Sequence, residues 1–368
     1  MDVVVFERSP MLDKLPQNLT DEGYFSNLPR EIILFILSHL DFLDLTQCSR
    51  VSKNFLDITS DALLYRRLEL KKMFNLVSNA TLKSIFRKAK LLKYLDLSHC
   101  GNYGRITSVT LRTFIYARGS KLTNLILSNC HATTKIVLMS IGRTCQNLVD
   151  LDLSNLHFIE TGNFEPLSLL TNLQQLNFYR TRIGTHELLH ILSSNASTLR
   201  AIYLGSCLKI DGDKVCEILA TECEKLAILD LWRCASLTSR GITLLSNNYG
   251  LLDLDFGWCV NVLASTGCIR TLVQNSPKLR RLMLTSHRQT SDSDIEAISQ
   301  LGATLEQFSC MGSRNVSPES ILDLALSCQN LQLLDISFCD QLESQGSFHS
   351  RLNELLPQCN IQLSVNDI

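Results

Sequence analysis

The sequence has no charge bias: 35 basic residues stand against 36 acidic ones, for a formal net charge of −1. A surface without excess positive charge has no general attraction for nucleic acid or an anionic membrane, so neither is expected as a partner. A long apolar run at the start is also missing. Val3 to Phe6 is preceded by Asp2 and followed by Glu7; this is too short for a signal peptide or a membrane span, and the acids do not suit a mitochondrial presequence. No phosphate-binding glycine loop, no His-Glu-x-x-His and no nucleophile elbow is read in the chain, so it is not expected to be an enzyme. The 14 cysteines include no Cys-x-x-Cys pair, which removes the usual zinc and redox spacings. The eight histidines are read as scattered, and no metal or other cofactor is expected.

What is present is a nine-position phrase, Leu-x-x-Leu-x-Leu-x-x-Cys. Its clearest copies are Leu92 to Cys100, Leu122 to Cys130, Leu226 to Cys234 and Leu331 to Cys339. With weaker copies included, the ninth position falls on Cys100, Cys130, Leu156, Thr181, Cys207, Cys234, Cys259, His287, Ser313 and Cys339. The steps between these markers run from 25 to 30 residues, the period of leucine-rich repeats. Within the phrase, Leu-x-Leu alternates at the strand period, so both leucines turn inward and the residue between them turns outward. Segments of helical period follow, such as Val215, Ile218 and Leu219. Each repeat is therefore a short strand, a turn and a helix, and stacking the repeats makes one core. The expected fold is α/β, a curved solenoid with parallel strands on its concave face and helices on its convex face. A degenerate earlier repeat, Tyr65 to Met73, fits the same spacing, and Ile361 to Ile368 is expected to supply a terminal strand or tail.

The cysteines follow the repeat: six are markers, and Cys145, Cys223 and Cys328 each precede the first strand leucine by three positions. They are read as small buried hydrophobes. Unpaired cysteines in such number suit a reducing compartment, the cytosol or nucleus, where the sequons at Asn18, Asn79, Asn195 and Asn315 carry no meaning.

Between Gly23 and Leu68 the phrase is absent. Three short helices are expected there. Leu28-Pro29 leads into a first helix with Ile32, Ile33, Ile36, Leu37 and Leu40 inward, Asp41 to Asp44 forms a turn, Leu45 to Val51 makes the second helix, and Lys53 to Asp57 opens the third. So short a segment buries little by itself and should dock on a partner and on the first repeat. Three divisions follow: residues 1–22 as a flexible tail, 23–68 as the helical segment, and 69–368 as ten to eleven repeats with a cap.

The pattern Leu28-Pro29-x-Glu31, Ile32, Ile36, Leu40, Leu45, Cys48, Val51, closed by Tyr65-Arg66-Arg67-Leu68, resembles the F-box. With the repeats, and with stretches such as GYFSNLPREII, FYRTRIGTHELL, LDLWRC and LLDISFC, the chain resembles the F-box/LRR-repeat family. That resemblance implies binding to the Skp adaptor of a cullin-based ligase through Leu28, Pro29, Glu31, Ile32, Ile36, Leu40, Leu45, Cys48, Val51 and Tyr65, the last standing where the family usually has tryptophan. It also implies a mitochondrial association and an amino-terminal discoidin-like region, which this chain begins too late to contain.

Alternation places Asp96, Asn177, Tyr179, Tyr203, Asp230, Trp232, Asp253, Asp255, Arg281, Met283, Met311 and Asp335 on the outward side of the strands. Tyr179, Tyr203 and Trp232 are expected on three successive strands, with Arg180, Arg233 and Trp258 at adjacent strand ends. Aromatic and Arg side chains are the types that anchor protein interfaces. A target-binding patch of Tyr179, Arg180, Tyr203, Asp230, Trp232, Arg233, Asp255 and Trp258 is expected, with Asp230 and Asp255 needing a basic partner or water between them. The function that fits is a substrate-recognition subunit of a Skp–cullin–F-box ubiquitin ligase that directs a protein to ubiquitination and proteasomal degradation. The alternative is a repeat scaffold with no ligase attached.

Overall fold

The computed structural model of the protein describes residue 25, residues 28–342 and residues 346–364. The expected tail, 1–22, and residues 365–368 lie outside the described residues. The chain falls into two compact units, Met1–Asp152 and Leu153–Ile368.

The first unit opens with three helices, α1 (Arg30–Leu37), α2 (Phe42–Cys48) and α3 (Lys53–Ile58). Then come β1 (Arg67–Glu69), α4 (Asn79–Lys88), β2 (Tyr94–Asp96), α5 (Ser108–Arg118), β3 (Asn124–Ile126), α6 (Lys135–Thr144) and β4 (Asp150–Asp152). The four strands pair in order and in parallel, with Leu68, Leu95, Leu125 and Leu151 in one register. The second unit continues the alternation through β5 (Gln175–Asn177), α7 (Thr185–Ser194), β6 (Ala201–Tyr203), α8 (Gly212–Glu222), β7 (Ile228–Asp230), α9 (Ser239–Leu245) and β8 (Asp253–Asp255). It ends with α10 (Cys268–Asn275), β9 (Arg281–Met283), α11 (Asp292–Ser299), β10 (Gln307–Ser309), α12 (Pro318–Ser327), β11 (Leu333–Asp335), α13 (Gly346–Leu355) and β12 (Asn360–Gln362). These strands are also parallel neighbours in order.

The expected α/β repeat architecture is therefore present, one strand to each copy of the phrase. The central strand residues Leu176, Ile202, Leu229, Leu254, Leu282, Phe308 and Leu334 are 0% exposed, and burying each such side chain favours folding by about 1.5–3 kcal/mol. Helix starts are defined by short polar side chains: Ser78, Thr107, Asp211 and Ser317 accept the N–H three residues on, which relieves otherwise unpaired donors of the first turn. The degenerate copy is real, since β1 centres on buried Leu68. An expected boundary at 68/69 would cut this strand, because Leu68 both closes the helical segment and opens the first repeat.

The turn after each strand explains the rest of the phrase. In all ten copies the eighth residue is left-handed: His99, Asn129, Asn155, Arg180, Ser206, Arg233, Trp258, Ser286, Gly312 and Phe338 have φ between 51° and 78°. A side chain there costs about 1–3 kcal/mol of backbone strain. Hydrogen bonds to the seventh-position carbonyl of the next copy offset it, as in Arg180 N to Gly205 O at 2.8 Å, Arg233 N to Gly257 O at 2.8 Å and Trp258 N to Thr285 O at 2.7 Å. The ninth position then turns inward and donates backwards. The thiols of Cys207, Cys259 and Cys339 reach the carbonyls of Phe178 (2.9 Å), Leu231 (3.2 Å) and Cys310 (3.3 Å), each at the sixth position of the preceding copy. His287 does the same through Nε2 to Phe256 O at 2.9 Å. At these copies the marker is a compact buried donor. Burial pushes the Cys207 thiol up to about 11, so it stays protonated and able to donate.

Candidate functional site

Two surfaces carry the residues expected to bind partners, one in each unit. In the first, α1 is apolar on both sides. Ile33 and Leu37 are 4% and 2% exposed, while Ile32, Phe35 and Ile36 are 47%, 66% and 40% exposed and Leu28 lies one turn earlier, also exposed. The expectation that Ile32 and Ile36 point inward is therefore corrected. At helical spacing, positions 33 and 37 share the inner face, and 28, 32, 35 and 36 share the outer one. Arg30 fixes α1 against its neighbours by bonding Asp57 at 2.7 Å and Asp61 at 3.3 Å. The second helix starts earlier than expected, at Phe42, because Asp41 caps it by accepting the Asp44 N–H at 3.0 Å.

Of the ten expected adaptor residues, Pro29, Glu31 and Val51 are exposed along with Leu28, Ile32 and Ile36, and Leu40 and Cys48 are half-buried. Leu45 and Tyr65 are corrections: they are 3% and 2% exposed and form the core of the segment. The Tyr65 hydroxyl donates to Thr59 O at 2.8 Å and accepts from Lys88 Nζ at 3.2 Å, and its ring meets Phe42 edge-on at 6.5 Å. Lys88 belongs to α4, so Tyr65 fastens the helical segment to the first repeat. Burial pushes its phenol up to about 12. Phe35, the most exposed apolar side chain on α1, was absent from the expected set, although its place three residues after Ile32 puts it on the same face.

In the second unit the expected patch forms around β5 to β9. Tyr203 lies on β6, but Tyr179 and Trp232 sit two residues past β5 and β7, in the turns, so they do not lie on three successive strands as expected. Their rings stack, with centroids 6.2 Å apart and planes at 27°. Gly205 makes this possible. It occupies the same seventh position on the copy between them, and a Cβ there would lie 2.7 Å from Tyr179 Cδ2 and 3.1 Å from Asp230 Oδ1. Sequence reasoning missed this glycine; the signal was the small residue of Leu204-Gly205-Ser206-Cys207 flanked by two aromatic copies. The guanidinium of Arg233 stands 5.2 Å from the Trp232 ring centre, within cation–π range. The left-handed turn swings Arg180, Arg233 and Trp258 to the rim, where all three are exposed.

The acids have a structural task that the sequence did not reveal. Asp230 accepts the Trp232 N–H at 2.8 Å and Asp255 the Gly257 N–H at 3.0 Å; Asp96, Asn177 and Asp335 do the same two residues on. This local bond closes the strand end. Arg281, on β9 and so on the side of β8 away from β7, bonds Asp253 at 2.7 Å and Asp255 at 3.3 Å; it is not the group expected between Asp230 and Asp255, which face each other directly. Asp230 is left beside this pair. Burial, with Asp255 adding to it, pushes its carboxyl up to about 6 against the opposing pull of the Trp232 N–H and Arg281. Of the remaining outward residues, Met283 is buried at 7% exposure and Met311 is half-buried.

The family model described as F-box-like matches residues 25–71, which spans α1 to β1. Downstream stand the repeats. The chain joins an F-box-like domain to leucine-rich repeats. It is 37% identical over 326 residues to F-box/LRR-repeat protein 4 of Bos taurus, covering 88% of this chain and 52% of that protein. The chain thus spans about half the length of the curated relative it matches. Among solved structures, the crystal structure of the yeast Rad7 and Elc1 complex superposes with a TM-score of 0.56 at 18% identity, covering 86% of this chain and 91% of that one; it shares the fold. The F-box/LRR-repeat resemblance read from the sequence holds. Among the described residues, no helix is long and apolar enough to cross a membrane.

Proposed function

We propose that this F-box/LRR-repeat chain is a substrate receptor of a Skp–cullin–F-box ubiquitin ligase, sending its target to ubiquitination and proteasomal degradation. The outer face of α1 is the adaptor surface in this reading, and the aromatic rim of Tyr179, Trp232 and Arg233, with Tyr203, Arg180 and Trp258, is the target surface. The observation that carries it is the exposed apolar face of α1 inside the F-box-like match. Contiguous exposed apolar side chains on a packed domain mark a contact surface. The chain supplies position and no chemistry: a target held in the same assembly as the ubiquitin-charged enzyme experiences a raised effective concentration of the donor. The buried, protonated cysteines suit a reducing compartment, cytosol or nucleus.

The test is purification of the tagged full chain from cells with its partners. Skp adaptor and cullin should accompany it and be lost from a variant carrying Leu28→Ala with Pro29→Ala and from Ile36→Asp. Retention by both variants, or absence of both proteins from the unaltered chain, defeats the reading in favour of a ligase-free scaffold.

A further inference from the structure

The readings of the histidines as scattered and of His-Glu-x-x-His as absent need correction. His186-Glu187-Leu188-Leu189-His190 is a His-Glu-x-x-His spacing, and it lies on α7 with the two histidines one turn apart. Two imidazoles at that spacing share one helix face and can hold one transition-metal ion. A third ligand is present. Glu165, on the turn Glu165–Leu169, brings its carboxylate to 2.7 Å from His190 Nδ1 and 3.9 Å from His186 Nδ1, and the candidate ligand atoms all lie within 4.8 Å of one another. Zinc bound at about 2.0–2.2 Å in tetrahedral geometry needs ligand atoms roughly 3.3 Å apart. The observed separations bracket that value, and exposed side chains adjust by rotation.

The scaffold around these ligands is fixed. Glu187, between the histidines in sequence, is 4% exposed. Its Oε1 accepts the Phe164 N–H at 2.7 Å and its Oε2 the Gly184 N–H at 2.9 Å. The first bond ties the backbone just before Glu165 onto α7, and the Phe164 ring is buried edge-on against Phe178 at 5.7 Å. Glu165 is therefore held beside the two histidines by a residue that cannot act elsewhere. In hydrolases built on this spacing the central Glu is the general base beside the metal; here both its oxygens are committed to backbone donors in the interior. The spacing here therefore lacks a free general base.

We propose that Glu165, His186 and His190 form a three-ligand site for zinc or a cation of similar preference, open to solvent at its fourth position and without hydrolytic activity. The site is built from two nitrogens and a carboxylate, a set that suits zinc, nickel and copper and not magnesium or calcium. The side chains of His186, His190 and Glu165 are 79%, 49% and 44% exposed, so they can be replaced without disturbing the core. The experiment is calorimetric titration of the metal-free full chain with zinc chloride, repeated with cobalt(II) for its absorption spectrum. One equivalent of zinc should bind in the presence of excess magnesium. His186→Gln and His190→Gln should each weaken binding by more than roughly tenfold, the lower end of what changes behind a ligand produce. His157→Gln should leave it unchanged, with circular dichroism identical throughout. The cobalt complex should lack a thiolate charge-transfer band. No binding, binding equal in the histidine variants, or a thiolate band would overturn the site; zinc-dependent peptide hydrolysis by the unaltered chain would overturn its non-catalytic character.

Discussion

Apolar side chains stand outside on α1 and inside on the repeat strands. Ile36 is 40% exposed in a helix whose next residue, Leu37, is 2% exposed, whereas Leu229 at the centre of β7 is 0% exposed. A strand of three residues places its middle side chain between two sheet neighbours and under a helix, so each repeat closes over its own leucines. Among the described residues, helix α1 has packed elements on one side alone. The same residue types therefore serve as core in one region and as contact surface in the other, and burial tells the two uses apart.

The largest test of that contrast is stability. Leu229→Ala should cost about 2.7–5.0 kcal/mol, seen as a lowered denaturant midpoint, while Ile36→Ala should stay within about 0.5 kcal/mol and instead weaken adaptor capture. Equal losses in stability would make the outer face of α1 part of the core. On the rim, Tyr179→Ala or Trp232→Ala should weaken target capture by about 2 kcal/mol, or about 30-fold, measured by pull-down against a target trapped by a chain lacking the F-box. Unchanged capture would mean that the two rings only pack on each other. Gly205→Ala separates the stack from its surroundings: the added Cβ must push Tyr179 aside, at about 1–3 kcal/mol, with a shift in Trp232 fluorescence. An unshifted spectrum would show that Gly205 does not set the ring geometry.

The smallest effects are in pH dependence, and they run in opposite directions within one unit. Burial lowers the His287 pKa, so the unfolded chain binds the proton more readily and stability is lost as pH falls below the unfolded value of about 6.5. Asp230 is raised to about 6, so the unfolded chain releases its proton first and stability is lost as pH rises from about 4 to about 6. Melting temperatures across pH 4 to 8 should show Asp230→Asn removing the second slope while leaving the first; a variant curve parallel to the unaltered one would refute this assignment.

The spacing of the phrase was enough to read the buried leucines, the strand to each copy and the inward cysteines, because alternation at period two acts within a few residues. The same local rule located Tyr203 on the outer side, whereas Arg233 and Trp258, two residues past an inward side chain, reach the surface through the left-handed turn. It failed where a second element decided the outcome. Ile32 and Ile33 look alike in sequence, and the packing of α3 and its following turn on one side of α1 determines which is buried. Tyr65 stands at a position that the family resemblance assigns to the adaptor, yet Lys88 and Phe42 enclose it. The His-Glu-x-x-His spacing is legible in the letters, against the reading that none is present; its third ligand is not, since Glu165 lies 21 residues before His186.

The sequence alone determined the repeat period, the core positions and the F-box resemblance, each of which depends on spacing along the chain. Tertiary structure alone decided that Tyr179 meets Trp232 across Gly205, that Arg281 pairs with Asp253 and Asp255 and leaves Asp230 beside them, that Tyr65 belongs to the interior, and that Glu165 joins His186 and His190. Each of these is a contact between residues from different elements, and its distance depends on how the elements stack, a quantity that no local periodicity contains.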